Sequence, residues 1–280
     1  MYKVAVFDLD GTLLNHDLEI SSGNLDAIKK IRELGIKVVI ATGRPEQLVK
    51  PYMDQLQYTD DLIMYNGSVI GHPFKEKRFF SKALDKKTVK EVIEYCEAFD
   101  ILYMCYTKDM LISKPNFRVE FFEQRNLQLE EKNRSVFKDI GNKEDIYENY
   151  EINKILIIEK DDIRFEQVLI RMNECKNVSI VSSQKGFIDI NPLNTSKGDA
   201  VRRLTESMKV SKDEIIAFGD QDNDVSMLEY AGFSVAMANA SAKAKAAADY
   251  ITTSNDEDGV AFGLHEHILN IVNKISQSGK

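Results

Sequence analysis

The chain opens on an unbroken apolar run, Val4-Ala5-Val6-Phe7, that stops at Asp8-Leu9-Asp10-Gly11-Thr12. Such a run, bounded by a turn signal, reads as a buried strand, and Gly11 permits the tight turn. The period then changes. Leu25, Ile28, Ile31 and Leu34 share one helical face, with Asn24 as the expected cap and Gly35 as the stop. Lys37-Val38-Val39-Ile40-Ala41 is a β-branched strand leading into Thr42-Gly43-Arg44, and Pro45 suits the first turn of another helix. Leu62-Ile63-Met64-Tyr65 is a third short strand, closed by the turn dipeptide Asn66-Gly67. Alternating strand and helix signals predict a parallel sheet covered by helices.

Near residue 82 the pattern changes. A helix is expected over 85–99, with Val89, Val92, Ile93 and Cys96 on one face, then strands over 101–107 and 110–113. A strand over 155–159, a helix over 162–172 and strands over 178–182 and 187–190 repeat that order. A helix followed by paired strands, seen twice, reads as an α+β layer. Tyr103, Met104 and Tyr106 belong to its expected core. The charged, weakly periodic stretch 126–149 reads only as a helix-containing surface excursion. After Asn191-Pro192 the first pattern returns: a helix face of Ala200, Val201, Leu204 and Met208, and a buried-type strand Ile215-Ile216-Ala217-Phe218. Helices over 222–230, 241–248 and 259–275 follow, with short strands at Phe233-Ser234-Val235 and Tyr250-Ile251-Thr252. His265 and His267, two apart in the last helix, are expected on the surface. The predicted fold class is α/β: a Rossmann-like parallel-sheet core domain over 1–81 and 191–280, interrupted by an inserted α+β domain over 82–190.

A length of 280 residues supports two domains, since single cores rarely grow that large. Hydrophobic residues at 43% and charged residues at 29% are ordinary for a soluble globular protein. The net charge of −8 opposes general nucleic-acid binding, which shows a basic stripe. It leaves room for a small phosphorylated substrate, because charge local to a cleft can oppose net charge. Cys96, Cys105 and Cys175 form no Cys-x-x-Cys pair and are expected as free thiols in a reducing compartment. The N-terminal apolar run is too short for a signal peptide, and no stretch approaches a membrane span. A cytoplasmic location follows as the expectation, with no membrane or nucleic-acid partner.

Four segments carry candidate chemistry. Two carboxylates at a strand end, Asp8 and Asp10, can hold a metal and divide nucleophilic and acid/base work; an acidic turn leaving the core is the plainer alternative. Thr42 ends its own apolar strand, where its hydroxyl can donate to a phosphoryl oxygen or cap the next helix. Lys197, in Thr195-Ser196-Lys197-Gly198, stands at a helix start where an ammonium can meet an anion, or it is a surface lysine. No P-loop pattern surrounds it. Asp220, Asp222 and Asp224 follow a buried strand closely enough to repel one another unless a cation is near. Oxygen ligands there suit Mg²⁺; an acidic helix N-terminus is the alternative. In a parallel sheet these strand ends lie along one edge, where ligands bind.

These segments resemble the Cof-type phosphatases of the haloacid dehalogenase superfamily. Phe7-Asp8-Leu9-Asp10-Gly11-Thr12-Leu13-Leu14 is similar to the first motif of that family, Ala41-Thr42-Gly43-Arg44 to the second and Ser196-Lys197-Gly198 to the third. Gly219-Asp220-Gln221-Asp222-Asn223-Asp224 is similar to the fourth. Asn66-Gly67 and Ser254-Asn255-Asp256-Glu257-Asp258-Gly259-Val260-Ala261 also match the subgroup. By position and length, the inserted domain resembles its cap. The resemblance implies a Mg²⁺-dependent phosphatase of small phosphorylated metabolites, either sugar phosphates or phosphorylated cofactors. Asp8 would be the nucleophile that forms an aspartyl-phosphate, and Asp10 the acid and then the base. Thr42, Lys197 and Asn223 would hold the phosphoryl group, with Leu9, Gly43 and Arg44 completing the phosphate- and substrate-binding set; Arg44 has an ordinary ion pair as its alternative. Mg²⁺ would take the Asp8 carboxylate, the Asp10 carbonyl and the Asp220 carboxylate, with Asp224 on the metal or behind it. Asn194-Thr195, Gln221-Asp222 and Ala238 depart from the usual residues of the family without removing a catalytic group. A phosphomutase and a non-enzymatic phospho-dependent switch are the other readings, and the chain is expected as a monomer or homodimer.

Overall fold

The computed structural model describes residues 2–58, 60–75 and 78–270. These pack as two compact units, the first from 2–42, 60–63 and 197–270, the second from 43–58, 64–75 and 78–196.

The first unit is built on a parallel sheet. Its strands are β1 (Val4–Phe7), β2 (Lys37–Ile40), β12 (Ile215–Gly219), β13 (Phe233–Ala236) and β14 (Tyr250–Ile251), in the order β14-β13-β12-β1-β2. Ile63 of β3 (Leu62–Met64) bridges Ala41 in parallel beside β2. Counted within this unit, the strand order is therefore 3-2-1-4-5-6, the Rossmann arrangement. It reverses between β1 and β12, and ligands of open α/β sheets bind at the carboxyl ends beside such a reversal. β1 is apolar throughout and lies inside the sheet, paired on both edges by β2 and β12. Val4 stands opposite both Lys37 and Ile215, and Phe7 opposite both Ile40 and Phe218. The Phe7 and Phe218 rings stack at 5.0 Å, and each such buried side chain contributes about 1.5–3 kcal/mol.

Helices α1 (Ser22–Glu33), α7 (Lys197–Ser207), α8 (Val225–Tyr230), α9 (Ala242–Ala247) and α10 (Gly259–Leu264) complete this unit. The cap of α1 is Ser21 rather than the expected Asn24: the Ser21 hydroxyl accepts from the Asn24 N–H at 3.1 Å. Asn24 lies buried inside the helix, and its carboxamide oxygen accepts from the Ala261 N–H at 2.9 Å. The helix expected over 222–230 begins as a 3₁₀ turn, Asp222–Asp224, ahead of α8. α10 runs on as a wider turn over His265–Leu269; residues 271–275 of the helix expected there lie outside the described residues. His267 is half-buried rather than a surface residue, with its ring 4.5 Å from both Phe233 and Tyr250.

The second unit contains α2 (Glu46–Gln55) and the antiparallel pair β4 (Val69–Gly71) and β5 (Arg78–Ser81). It also holds α3 (Lys86–Ala98), α4 (Phe117–Asn126), α5 (Lys143–Asn149) and α6 (Asp162–Asn173). Its large sheet runs β10-β11-β9-β6-β7-β8, from β6 (Leu102–Tyr106), β7 (Leu111–Ser113), β8 (Phe137–Lys138), β9 (Lys154–Ile158), β10 (Val178–Gln184) and β11 (Phe187–Pro192). The twice-repeated helix and strand pair thus meets in one sheet. The stretch 126–149 is more than a surface excursion, because β8 pairs with β7 in parallel. α4 has no counterpart in the sequence reading. Val89, Val92, Ile93 and Cys96 of α3 pack with Ile155 and Ile157 of β9 and with Val168 and Met172 of α6. Tyr103, Met104 and Tyr106 are buried, as are the three cysteines, all of them free. Among the described residues, no helix is long and apolar enough to cross a membrane.

Candidate active site

The abrupt ends of the first unit's strands bring carboxylates together. Asp8 follows β1 directly, and its N–H donates to the Phe218 carbonyl at 3.0 Å, so backbone pairing across the strand-order reversal fixes it. Asp220 follows β12. Thr12 Oγ1 donates to Asp220 Oδ1 at 3.1 Å, and Gln221 Nε2 donates to Asp220 Oδ2 at 2.9 Å. Gly11 adopts a φ of 78°, and a Cβ there would lie 2.3 Å from Asp220 Oδ2. A glycine is therefore needed for the first loop to approach the fourth.

Lys197 is the first residue of α7 and is 1% exposed, so it is not a surface lysine. Its Nζ donates to Asp8 Oδ1 and to Asp224 Oδ1, each at 2.5 Å. The other Asp224 oxygen accepts from the Asp220 N–H at 2.8 Å and the Gln221 N–H at 2.9 Å. Asp224 thus ties the lysine to the loop that carries Asp220. Asp222 is not part of this group: its oxygens accept from Ser241 Oγ at 2.8 Å and Lys243 Nζ at 2.7 Å.

One carboxylate oxygen each from Asp8, Asp220 and Asp224 lie within 4.8 Å of one another, all three residues buried. Burial pushes Asp8 well above the usual carboxylate range, and the Asp224 charge adds to the rise. Burial likewise pushes Asp220 up to about 7, again with Asp224 contributing. Burial pulls the Lys197 ammonium down, but the Asp224 and Asp8 carboxylates outweigh it and hold it above its ordinary value. One ammonium does not balance three buried carboxylates. The oxygen donors and the surplus of negative charge suit a hard divalent cation.

The other sequence-predicted residues are placed as follows. Asp10 is exposed, two residues beyond Asp8. Leu9 and Thr42 are fully buried, Thr42 at the end of β2 with its N–H donating to the Ile63 carbonyl at 2.9 Å. Thr42 does not cap α2, whose N-cap is Pro45. Asn223 is buried in the 3₁₀ turn between Asp222 and Asp224. Gly43 and Arg44 belong to the second unit. The Gly43 carbonyl accepts from Lys154 Nζ at 2.9 Å. Arg44 Nη1 donates to the Leu48 carbonyl at 3.1 Å and the Tyr52 hydroxyl at 3.2 Å. Thr12 and Gln221, which orient Asp220, carry no sequence signal beyond adjacency to the acidic groups.

Comparison with known proteins agrees with this geometry. The family model of the haloacid dehalogenase-like hydrolases matches residues 5–264. The 5-amino-6-(5-phospho-D-ribitylamino)uracil phosphatase YwtE of Bacillus subtilis is 32% identical over 281 residues, covering 94% of this chain and 97% of the relative. The structure of a haloacid dehalogenase-like hydrolase from B. subtilis superposes with a TM-score of 0.84 at 29% identity, covering 95% of this chain and 99% of the other. The subclass IIB sugar phosphatase BT4131 gives a TM-score of 0.80 at 25% identity, covering 94% and 98%. The strand order, the carboxylates at the sheet's reversal and these matches agree: the chain belongs to the haloacid dehalogenase-like hydrolases and is a Cof-type phosphatase.

Proposed function

We propose that this chain is a Mg²⁺-dependent phosphatase of small phosphorylated metabolites that works through an aspartyl-phosphate on Asp8. The observation that carries the reading is the buried Asp8 carboxylate, held 2.5 Å from Lys197 at the carboxyl end of β1. In the first step an Asp8 oxygen attacks phosphorus. The bond to the leaving oxygen breaks, and the Asp10 carboxyl gives that oxygen its proton. In the second step Asp10, now a carboxylate, takes a proton from water. The water oxygen attacks phosphorus, the bond to Asp8 breaks and phosphate leaves. Exposure of Asp10 suits a group that must meet both the leaving oxygen and water. Lys197, Thr42 and Asn223 would hold the phosphoryl oxygens, because phosphoryl transfer is governed mainly by positioning and charge neutralisation. Asp224 would hold Lys197 in place. The Asp8 and Asp220 carboxylates and the Asp10 carbonyl would bind Mg²⁺, which when bound offsets phosphoryl and carboxylate charge.

Residues 82–190 would be the inserted cap domain, and 1–81 with 191–280 the core domain. The relatives' names support a sugar or polyol phosphate as the first class to test, with phosphorylated cofactors next. The experiment is phosphate release from an aryl phosphate and from panels of both classes, with and without Mg²⁺. Release should require Mg²⁺ and fall by on the order of 10³-fold or more in Asp8→Asn. Undiminished turnover in that variant would refute the assignment of the nucleophile.

A further inference from the structure

Two segments have no part in the chemistry above: the turn at Met237-Ala238-Asn239-Ala240 and the stretch beginning Ser254-Asn255-Asp256. Both close on the loop that carries Asp10. That loop turns back on itself: the Leu14 N–H donates to the Leu9 carbonyl at 2.8 Å, and Asp10 and Leu14 form an isolated β-bridge. Asn239 Nδ2 donates to the Gly11 carbonyl at 2.8 Å. Asn239 Oδ1 accepts from the Asn255 N–H at 3.1 Å. Asn255 Nδ2 then donates to the Leu14 carbonyl at 2.8 Å. Two carboxamides in series thus hold the residue after Asp10 and the residue bridged to Asp10.

The holders are themselves anchored to the sheet end. The Met237 N–H donates to the Gly219 carbonyl at 3.2 Å, and the Ala238 N–H to the Thr253 carbonyl at 3.2 Å. Ser254 and Glu257 form a reciprocal cap that fixes the turn bearing Asn255. Farther along the loop, Asp256 Oδ1 accepts from the His16 N–H at 2.9 Å. The asparagine carboxamide supplies what each position uses: Nδ2 donates at both, and at 239 Oδ1 also accepts.

We propose that Asn239 and Asn255 are positioning residues that aim Asp10 at the leaving oxygen. This rests on Asp10 being the proton donor, as proposed above. Asn239 is exposed and Asn255 only partly buried, and a hydrogen bond of this kind contributes about 0.5–1.5 kcal/mol to stability. That is too little to decide folding. It is enough to bias a loop between conformers, and misplacing a catalytic group by about 1 Å can cost on the order of 10²-fold in rate.

A general acid matters most when the leaving group is poor, so the test compares leaving groups. Alcohol release from an alkyl phosphate and from p-nitrophenyl phosphate is measured with Mg²⁺ for the full-length wild type, Asn239→Ala, Asn255→Ala and Asp10→Asn. The quantity read is kcat/KM, which reports only the steps through alcohol release. The asparagine variants should lose about 10- to 100-fold on the alkyl phosphate but under about 3-fold on the aryl phosphate. Their Tm values should fall by no more than about 2–4 °C, the shift expected for ~1 kcal/mol. Equal losses on both substrates, or no loss on either, would overturn the positioning role. Asp10→Asn separates the two claims. Leaving-group-selective loss there, without it in the asparagine variants, overturns the clamp alone. Unselective loss in Asp10→Asn overturns the acid assignment and the clamp with it.

Discussion

At the end of the first unit's sheet, one ammonium faces three buried carboxylates. Asp8 and Asp220 both hold their protons more tightly in the folded chain than an unfolded one would, Asp220 with its value pushed up to about 7. The stability that comes from the Asp220 proton is complete below the ordinary carboxylate value and is lost as pH rises through about 7, and that from the Asp8 proton is lost in the same direction. Lys197 stays charged across that window and lowers both carboxylates, so removing it extends the rise. Metal-free Lys197→Met should therefore lose more stability relative to wild type at about pH 8 than at about pH 5. The loss at the higher pH should reach about 3–5 kcal/mol, the cost of stranding a buried charge. Phosphatase activity should fall by on the order of 10²-fold or more. Thermal unfolding of both proteins across that pH range checks the point, and a difference independent of pH would contradict it. The placement of Asp8 and Asp220 was legible because each follows the sudden end of an apolar run, whereas Lys197 was set apart from a surface lysine only by the likeness of Ser196-Lys197-Gly198 to a family motif. Asn239 was not legible, since its partners at Gly11 and Asn255 are joined to it through backbone groups that no residue pattern encodes.

The elements carrying those side chains approach one another closely. Gly198 follows Lys197 in α7, and its N–H donates to Ser226 Oγ at 3.1 Å in α8. A Cβ at Gly198 would lie 2.2 Å from the Ser226 carbonyl oxygen, a backbone atom that cannot swing aside. Gly198→Ala should force α7 away from α8 at a cost of about 1–3 kcal/mol or more. Because Lys197 is the preceding residue, activity should fall together with stability. Denaturant unfolding alongside phosphate release checks both, and an alanine variant of unchanged stability would show that the helices separate freely. Elements of regular period were legible to within a few residues: α3, β9 and α6 are close to their expected bounds. α4 was not, because its apolar residues fall on two faces, Val119 and Phe122 buried, Phe117 and Phe121 exposed. β8 spans two residues, too few for an alternation to register. The cap of α1 was displaced because Ser21 and Asn24 are both good capping types and only the hydrogen bond to Ala261 decides between them.

At the scale of the whole molecule, the second unit extends beyond the pattern change at residue 82, taking in 43–58 and 64–75 as well. The buried apolar cluster of the second unit draws on residues from Leu84 to Ile190 and includes β6, β9, β11, α3 and α6. Such a core satisfies what a small domain needs to fold alone. A fragment of residues 82–193 should therefore fold cooperatively, although without full stability. Lys154 and Asp189 form a buried ion pair at 2.8 Å inside it. Outside it lie the Gly43 carbonyl that accepts from Lys154 and the Asn66 carboxamide that donates to Asp189 Oδ2 at 3.0 Å. Each buried polar group left without its partner costs about 1–3 kcal/mol, so the fragment should unfold at a lower temperature than the same sheet in the full chain. Circular dichroism melting with near-ultraviolet detection, together with amide dispersion by NMR, measures this. A sharp transition with dispersed amides is the expected result. Helical signal without near-ultraviolet structure would mean that residues 43–58 and 64–75 are integral to that core, and that its true boundary is the packing of the second unit rather than the change in hydrophobic period.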